Sequence, residues 1–387
     1  MSPLMLLLGS VIVASPSFEA GLQGGGGIIQ DQAILSTQPW IGATQDGHSL
    51  SLAAPLRLEL ASGDLRSADW DEWRDYGRVF RFYRFEEQLH LGQINDLTLG
   101  HGTVARRFRN GIDDDHYRVG AEMDLGHQEL ALHAFCDQVL DVPVFGVRPT
   151  FLVAQSWSLG ATFAADAARP RRAPMRQTPT RELWSVVGLD LGWSPVDEPI
   201  RRAHVYLDLN LQQAQELGLH LGMEWQFALA GPWAMSGRIE AMGFDGAYAW
   251  APFDTGYLIR RWTSTVEPTD FTLGGRLMLV FTALEQLTFG IEYADAVAPG
   301  RADLSVWTSM PFSWFRLDGF WTRRDGYDRL DLFDPRDMLG GLSLRLISGE
   351  GLDFGITAAR AWRNRSSEGR FRPYTEVLLT LERGWNF

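Results

Sequence analysis

The most regular feature of the chain is a strict alternation of apolar and polar residues. Between Glu216 and Leu229 every second residue is apolar, beginning at Leu217, and the residues between them are polar or small. A period of two residues is that of a β-strand. The segment from Val205 to Leu211 alternates in the same way, and only Gln213–Gln215 separates the two patterns. The sequence therefore predicts a β-hairpin here.

The same alternation recurs in many short segments after Leu50. Their opposite faces carry mostly Gly, Ser, Thr, Asp, Glu or Arg. We count about 16 to 18 such segments, each roughly ten residues long, which is the weak signal typical of a transmembrane β-barrel. The clearest further segments are Tyr117–Leu125, Val153–Phe163, Val187–Trp193, Phe271–Phe281, Leu287–Tyr293, Phe315–Trp321, Leu342–Leu346 and Leu352–Ala358.

The last segment, Tyr374–Phe387, alternates and ends on an aromatic residue. It resembles the closing strand of bacterial outer-membrane β-barrel proteins of the porin-like kind, whose terminal Phe belongs to the signal read by the barrel-assembly machinery. The resemblance implies an all-β fold, a transmembrane antiparallel up-and-down β-barrel, in the outer membrane of a Gram-negative bacterium. It also implies contact with outer-membrane lipid and lipopolysaccharide, and leaves a homo-oligomer open. We expect this strand to close on a first strand near Leu50, because an open sheet edge is not tolerated in lipid.

A soluble β-propeller or sandwich would also show many short alternating strands. Three features favour the membrane barrel: the apolar faces are simple and rich in Leu, the opposite faces are crowded with Gly and small polar residues, and aromatic residues cluster near segment ends. These aromatic residues, which we expect at the membrane interfaces, are Trp193, Trp233, Trp262, Tyr293, Trp321, Trp362 and Trp385.

The apolar run Leu4–Ala14 is long enough for a signal-peptide core and too short for a helical membrane span. We therefore expect a signal peptide in residues 1–20, a periplasmic lead-in over residues 21–48 and a single transmembrane barrel over residues 49–387.

Connection lengths give a second test, because outer-membrane barrels have short periplasmic turns and long external loops. Counting back from the C-terminus, we expect external connections at Arg363–Arg372 and Arg323–Arg336, and periplasmic ones at Ser348–Gly351, Pro311–Ser313 and Ala283–Gln286. The same count places the long, Pro-rich segment Asp166–Arg181 on the periplasmic side, either because a strand between Trp233 and Trp262 is miscounted or because the segment is a periplasmic insertion.

Composition narrows the function. The formal net charge is −13 and the pI is about 5.1, which argues against a nucleic-acid partner. The chain has one cysteine, Cys136, so an internal disulfide and a Cys-based zinc site are excluded. No cofactor or metal is implied.

The most concentrated polar stretch is His101–His116, with three arginines close to three aspartates. The simpler interpretation is a solvated external loop. The alternative is a constriction loop folded into the lumen, where opposed charges set a transverse field, as in general diffusion porins. Its candidate residues are Arg106, Arg107, Arg109, Asp113, Asp114 and Asp115.

Catalysis is less well supported. The cluster Asp113–His116 could activate water as in omptin proteases, but that family places its carboxylates on separate strands, and adjacent polar residues are typical of a solvated turn. A calcium site in the same cluster lacks EF-hand spacing. No stretch resembles the motif of the outer-membrane phospholipase. We therefore expect the chain not to be an enzyme.

Charged residues of both signs lie on the faces predicted to point inward. We interpret them as the lining of a water-filled, porin-like channel for passive diffusion of small polar solutes or ions, with a slight preference for cations because acidic residues predominate. The alternatives are a non-conducting structural or assembly barrel, in which these charges close the lumen by pairing, and a barrel-mouth hydrolase. The candidate lining residues are Arg118, Glu122, Glu224, Arg238, Glu240, Arg276, Glu292 and Arg316.

Overall fold

The alternating segments pair side by side in one continuous antiparallel sheet in the computed structural model. The structure describes residues 16–29, 32–71, 73–111, 118–170, 181–198, 200–229, 231–246, 248–260, 269–284, 286–297, 302–326, 338–347, 352–365 and 370–386. The sheet contains 21 strand segments. Two of them, His48–Ala53 and Leu56–Glu59, pair with the same neighbour and form one interrupted strand. The barrel therefore has 20 strands, more than the expected 16 to 18.

The strands are β1 Ser17–Ile29, β2 Gln32–Gln45, β3 His48–Ala53 with Leu56–Glu59, β4 Phe80–Phe85, β5 Leu89–Gly92, β6 Gly120–His127, β7 Leu130–Cys136, β8 Val144–Ala154, β9 Trp157–Pro170, β10 Arg181–Glu198, β11 Arg201–Gln212, β12 Glu216–Ala228, β13 Trp233–Gly246, β14 Thr269–Ala283, β15 Leu287–Ala296, β16 Ala302–Pro311, β17 Phe315–Gly326, β18 Met338–Ile347, β19 Leu352–Arg365 and β20 Arg370–Asn386. Apart from the barrel strands, the described residues contain only two-residue strands and three short helical segments, at Ser67–Asp69, Trp73–Val79 and Tyr257–Arg260.

The sheet closes on itself, because β20 pairs with β1 along Glu19–Ile29. The predicted all-β, up-and-down barrel is confirmed. A closed barrel leaves no strand edge unpaired. Among the described residues, no helix is long and apolar enough to cross a membrane.

The expected lead-in over residues 21–48 is wrong, because β1 and β2 lie within it and are full members of the barrel. The closing strand meets β1 and not the segment near Leu50. The cause is the run Gly24–Gly27, which offers no side chains and so no alternation to recognise. The run Leu4–Ala14 lies outside the described residues, and the signal peptide stays a prediction.

The segment Val153–Phe163 was also interpreted wrongly as one strand. β8 ends at Ala154 and β9 begins at Trp157, so the segment contains a tight turn. The turn residues are Gln155 and Ser156, and of these only Ser156 is typical of turns, with a weaker signal than Gly, Pro, Asn or Asp would give.

The two ends of the barrel differ in their connections. At the short-turn end the strands are joined within a few residues, as from Gln45 to His48 and from Ala154 to Trp157. At the long-loop end the chain runs from Glu59 to Phe80, from Gly92 to Gly120 and from Gly246 to Thr269 before the next strand begins. This asymmetry is the one expected of outer-membrane barrels.

The expected connections at Pro311–Ser313, Ala283–Gln286 and Ser348–Gly351 all fall at the short-turn end, and those at Arg323–Arg336 and Arg363–Arg372 fall at the other end. The expected periplasmic position of Asp166–Arg181 is wrong, because this segment joins β9 to β10 at the long-loop end. Between Trp233 and Trp262 the described residues contain one barrel strand, β13, followed by a loop. Counting an additional strand in this region moves every earlier connection, including Asp166–Arg181, to the opposite end of the barrel.

The two faces of each strand have opposite surroundings. On β12, Leu221 is 55% exposed on the outside, whereas the adjacent His220 is 0% exposed on the inside. On β20, Leu379 and Leu381 are exposed and Glu376 is buried. Leu, Phe, Val and Trp side chains thus form an apolar belt around the outer surface.

Two loops from the long-loop end fold into the barrel. Inner loop A is described over residues 93–111 and 118–119, between β5 and β6, and inner loop B over residues 248–260, between β13 and β14. They meet in a short parallel pairing of Ala105–Arg106 with Phe253–Asp254. Their apolar side chains pack with inward residues of β7 to β10 in a core inside the barrel, formed by Ile94, Leu97, Leu99, Val104, Ala105, Phe108, Phe135, Val144, Ala164, Trp184, Val186, Phe253 and Tyr257.

Candidate functional site

Inner loop A is fixed to the barrel wall by a buried ion pair. Arg106 Nε donates a hydrogen bond to Glu292 Oε2 on β15 at 2.8 Å. Glu292 also lies 3.3 Å from Nε of Arg276 on β14, and all three side chains are nearly inaccessible. Because Glu292 lies between two guanidinium groups, neither arginine is left as an uncompensated buried charge.

This ion pair continues into a network across β11 to β14. Glu240 accepts a hydrogen bond from the Tyr206 hydroxyl, lies 3.0 Å from His220 Nδ1 and lies 3.2 Å from Arg276 Nη1. Arg238 bonds both to Glu224 and to the backbone carbonyl of His101 in inner loop A. Acidic and basic side chains therefore alternate around the inside of the wall, and their charges offset one another.

The tip of inner loop A makes a second set of contacts. His101 Nε2 lies 3.2 Å from Asp190 Oδ1, which also accepts a hydrogen bond from Arg148 at 2.8 Å. The imidazole ring stacks parallel to the ring of Tyr206, with centroids 4.1 Å apart. The Thr103 hydroxyl donates to Asp208 on β11. The loop is thus held by β10 and β11 as well as by β13 and β15.

Two further arginines of inner loop A stack on aromatic rings of the wall. The Arg107 guanidinium lies 3.8 Å above the ring of Trp307, and that of Arg109 lies 4.4 Å above the ring of Phe320. Trp307 on β16 and Phe320 on β17 are direct cross-strand partners. Arg107 also lies 3.3 Å from Asp96. The loop therefore crosses the lumen from its origin at β5 and β6 to β16 and β17.

Burial lowers the pKa of Arg106 and of Arg109 to about 10. Desolvation is the largest cause for both, and for Arg106 it outweighs the opposing attraction of Glu292. Both groups stay cationic at neutral pH, because a pKa of about 10 is still well above 7. The ion pair of Arg106 with Glu292 and the cation–π contact of Arg109 with Phe320 therefore persist at neutral pH.

On the side held by inner loop B, little space remains. Trp250 donates through Nε1 to Asp303 at 2.8 Å, and the Thr255 hydroxyl donates to the Arg107 carbonyl at 2.7 Å. A polar cavity of about 30 Å³ lies between the two loops and β14 to β17. It has room for about one water molecule. The described residues therefore leave little space for a solute on this side of the lumen.

The opposite sector of the barrel, from β17 to β20, is the least filled and is called the open sector. Near its long-loop end Ile29, Ile34 and Leu339 form a buried apolar cluster. On β3 and the loop after it, Arg57, Arg66 and Asp69 are buried as well.

The inward side chains of the open sector include many small ones, among them Gly341, Ser343, Thr357 and Thr380, and they are partly accessible where those of β11 to β14 are buried. The accessible charges there carry both signs.

The side chains of Arg316 and Arg345 are 56% and 45% exposed, and that of Asp318 is 39% exposed. The acidic residues of the opposite wall are covered by the loops, as Asp190 and Glu240 show with side chains only 2% and 0% exposed. The expected cation preference does not follow, because these acidic groups are paired and inaccessible.

The sequence-predicted residues fall into four groups. Arg107 and Arg109, which stack on Trp307 and Phe320, form the first. Arg106, Glu224, Arg238, Glu240, Arg276 and Glu292 come together in the buried network. Arg118 pairs with Asp137 at 2.6 Å, Glu122 lies 3.2 Å from His133, and Arg316 pairs with Asp318 at 2.7 Å, so these three lie apart from the network. Asp113, Asp114 and Asp115 lie outside the described residues.

Sequence reasoning missed inner loop B and the docking surface formed by Trp307 and Phe320. A signal for both exists. Tyr248, Trp250, Phe253 and Tyr257 are aromatic without alternation. Trp307 lies between Ser305 and Ser309 on an inward face that is otherwise small and polar. Large aromatic residues on such a face indicate that something packs against it.

Groups that could support catalysis or metal binding are few. Ser194 Oγ lies 2.9 Å from His204 Nδ1 near the short-turn end, but no carboxylate of the described chain forms a hydrogen bond with His204, as a nucleophilic triad would require. Among the described residues, no group of three or more His, Cys, Asp or Glu side chains is arranged to hold a metal ion.

No protein-family model matches the chain. No curated protein matches it. Among solved structures, the chain is similar to the outer membrane protein OprD from Pseudomonas aeruginosa, with 11% identity over 96% of this chain and 94% of that one and a TM-score of 0.39. It is also similar to Pseudomonas aeruginosa OccK1 (OpdK), with 9% identity over 96% and 99% and a TM-score of 0.41. Acinetobacter baumannii OccAB4 matches with 8% identity over 97% and 99% and a TM-score of 0.38.

Proposed function

We propose that the protein is a passive channel of the Gram-negative outer membrane for small polar solutes or ions, narrowed by inner loop A, and that it is not an enzyme. The observation that carries the proposal is the course of this loop. It crosses the lumen and is held on the far wall by Arg107 and Arg109. Beside it, the inward faces of β17 to β20 carry small residues that are partly accessible.

The outer surface supports the membrane location. Leu207, Leu209, Leu219 and Leu221 belong to an exposed apolar belt that would be unfavourable in water. A closed barrel satisfies all strand hydrogen bonds internally, which is the condition for spanning hydrocarbon with strands. Trp193, Trp233 and Trp385 are exposed near the short-turn end, where interfacial aromatic residues are expected.

The arrangement of charges supports diffusion of polar solutes. Basic and acidic groups are both accessible in the open sector, through Arg316, Arg345 and Asp318. The channel is therefore expected to discriminate by the size of the opening beside inner loop A and by these accessible charges, and not by the total acidic charge of the chain.

Conductance in a planar bilayer tests the proposal. The purified protein should produce discrete current steps, and proteoliposomes should swell in small sugars or amino acids. The matched variants are Arg107→Ala with Arg109→Ala, which releases the loop from the far wall, and Arg201→Ala, which removes an exposed arginine at the short-turn end. A step size raised by the double variant and unchanged by Arg201→Ala supports the constriction.

Two results would overturn this function. The absence of current at any voltage, from protein that shows the heat-modifiable migration of a folded barrel, would favour the non-conducting structural or assembly barrel. Hydrolysis of peptide or lipid substrates, abolished by Ser194→Ala, would favour the barrel-mouth hydrolase.

A further inference from the structure

A concave groove of about 580 Å³ indents the outer surface over β15 to β20. Its floor consists of residues with small side chains, one on each of β16 to β20: Thr308, Gly319, Gly340, Ala358 and Thr375. Phe289, Trp321, Leu342 and Val377 are among the larger side chains that rise around the floor.

The strand register shows that this groove faces outward. Gly319 pairs with Thr308 on one side and with Leu342 on the other. Leu342 is 51% exposed in the apolar belt. The next residues along each strand, such as Phe320 and Gly341, are partners on the inner face. The groove is therefore separated from the lumen by the barrel wall.

The groove has a chemical character of its own. The outward side chains that line it are all apolar apart from two threonines, and Glu376, which also borders it, is turned to the inside and buried. Trp321 lies against Met338, with Nε1 3.4 Å from the sulfur. A ligand would be recognised here by hydrocarbon contact and not by charge.

The choice of ligand follows from shape and surroundings. In a membrane, bilayer hydrocarbon covers the rest of the apolar belt. An apolar groove left unfilled would lose the dispersion contacts that its side chains could make with hydrocarbon. A second barrel is convex and would need a contact of about 800 Å² per partner, and a convex surface does not fill a concave groove. A single flexible hydrocarbon chain can enter it.

We propose that this groove binds one acyl chain of a phospholipid. The inference rests on the membrane location proposed above. Among the described residues, no outward charged side chain lines the groove. The several phosphates of a lipopolysaccharide headgroup would have no cationic partner there, whereas a phospholipid held by one acyl chain needs only the apolar lining.

Native mass spectrometry of the detergent-solubilised protein, reconstituted with phosphatidylethanolamine and then delipidated stepwise, tests the proposal. The wild-type barrel should retain one phospholipid. Gly340→Leu should lower the retained fraction about tenfold, because the new side chain displaces several methylenes of the bound chain. A Cβ at Gly340 meets only ordinary contacts, the nearest being Phe320 O at 3.4 Å, so the barrel should fold. Ala241→Leu, on the outer face of β13 away from the groove, is the control.

Ala358→Leu provides a second filling variant in case Gly340→Leu does not fold. Fluorescence quenching by phospholipid with brominated chains is a second measurement, and it needs no substitution that fills the groove. The contribution of Trp321 is obtained by subtracting the signal of Trp321→Phe. It should exceed the quenching isolated in the same way for Trp193, an exposed belt residue away from the groove.

Several results would overturn the proposal: no phospholipid on the wild-type barrel, undiminished retention in both filling variants, retention of lipopolysaccharide in preference to phospholipid, or a dimer that the filling variants dissociate. Single-channel conductance should be the same in Gly340→Leu and wild type, since this residue faces away from the lumen. A barrel without current that still retains the lipid would refute the channel and leave the groove supported.

Discussion

The guanidinium of Arg107 lies 3.8 Å above the ring of Trp307, across the lumen from the strands where its loop begins. This contact distinguishes Arg107 from its neighbour Arg106, which is paired with Glu292 in the buried network. The arginines of one short stretch therefore have different tasks. Arg106 attaches the loop to β15, and Arg107 and Arg109 hold it against the aromatic surface at the edge of the open sector.

Trp307→Ala should widen the channel. Each cation–π contact at a partly desolvated site contributes about 0.5 to 2 kcal/mol, so losing one frees the segment around Arg107 without unfolding the barrel. We expect a larger single-channel step and more current noise. Trp314→Ala, at an exposed tryptophan of the short-turn end, is the control and should leave the step unchanged. A step size in Trp307→Ala equal to that of wild type would contradict the clamp.

Glu292→Gln should weaken the attachment of inner loop A more than Trp307→Ala does. It leaves the guanidinium groups of Arg106 and Arg276 buried without their shared carboxylate, and removal of one partner of a buried pair costs about 3 to 5 kcal/mol. The expected result is rapid trypsin cleavage within inner loop A of the folded barrel.

The matched variant for this prediction is Glu198→Gln, which removes the partner of Arg201 in an exposed pair whose side chains are 60% and 50% accessible. Exposed pairs contribute about 0 to 1 kcal/mol, so protection of the loop should not change. Equal protection in Glu292→Gln and wild type would show that the ion pair does not hold the loop.

The fold could be predicted from the alternation because a barrel gives each strand one apolar and one polar face. The strand count was too low where that contrast is missing. In β1 the stretch from Gly24 to Gly27 has no side chains, and β4 and β5 are short strands, Phe80–Phe85 and Leu89–Gly92. The pattern fails where the backbone, and not the side chains, determines the structure.

The candidate site was only partly predictable. Glu240, Arg276 and Glu292 could be assigned to inward faces from the period of two alone. Their joint contact with Arg106 depends on the path of a loop across the lumen, and a non-repeating loop sequence does not encode its path in a periodic pattern. The interpretation of His101–His116 as a solvated loop is wrong for its described part, residues 101–111, for the same reason: Arg106 is 6% exposed because the opposite wall supplies its partner.

The seam between β1 and β20 should tolerate no side chain at Gly25 or Gly27. A Cβ at Gly25 would collide with the backbone carbonyl of Leu379, and one at Gly27 with that of Val377. Gly25→Val is therefore expected to prevent closure, so that the protein loses its heat-modifiable migration. A Cβ at Gly24 has no neighbour within 4 Å, and Gly24→Val should fold normally. Normal folding of both variants would contradict a close approach of β1 and β20 at Gly25.

Ion selectivity should respond to accessible charges and not to buried ones. Arg345 lies on β18 in the open sector, and its side chain is 45% exposed. Arg345→Gln should therefore shift the reversal potential in a salt gradient toward cation preference, because one cationic group near the permeation path is lost. Asp208→Asn removes a charge of opposite sign on the covered wall, where Asp208 is 5% exposed and bonded to Thr103.

If the total lumen charge set the selectivity, Asp208→Asn should shift the reversal potential toward anions by as much as Arg345→Gln shifts it toward cations. The structure predicts a shift for Arg345→Gln alone, and it should shrink at high ionic strength, where the Debye length falls to about 3 Å at 1 M salt. Shifts of equal size in the two variants would mean that solutes reach the wall beneath inner loop A, and the open sector would then not be the permeation path.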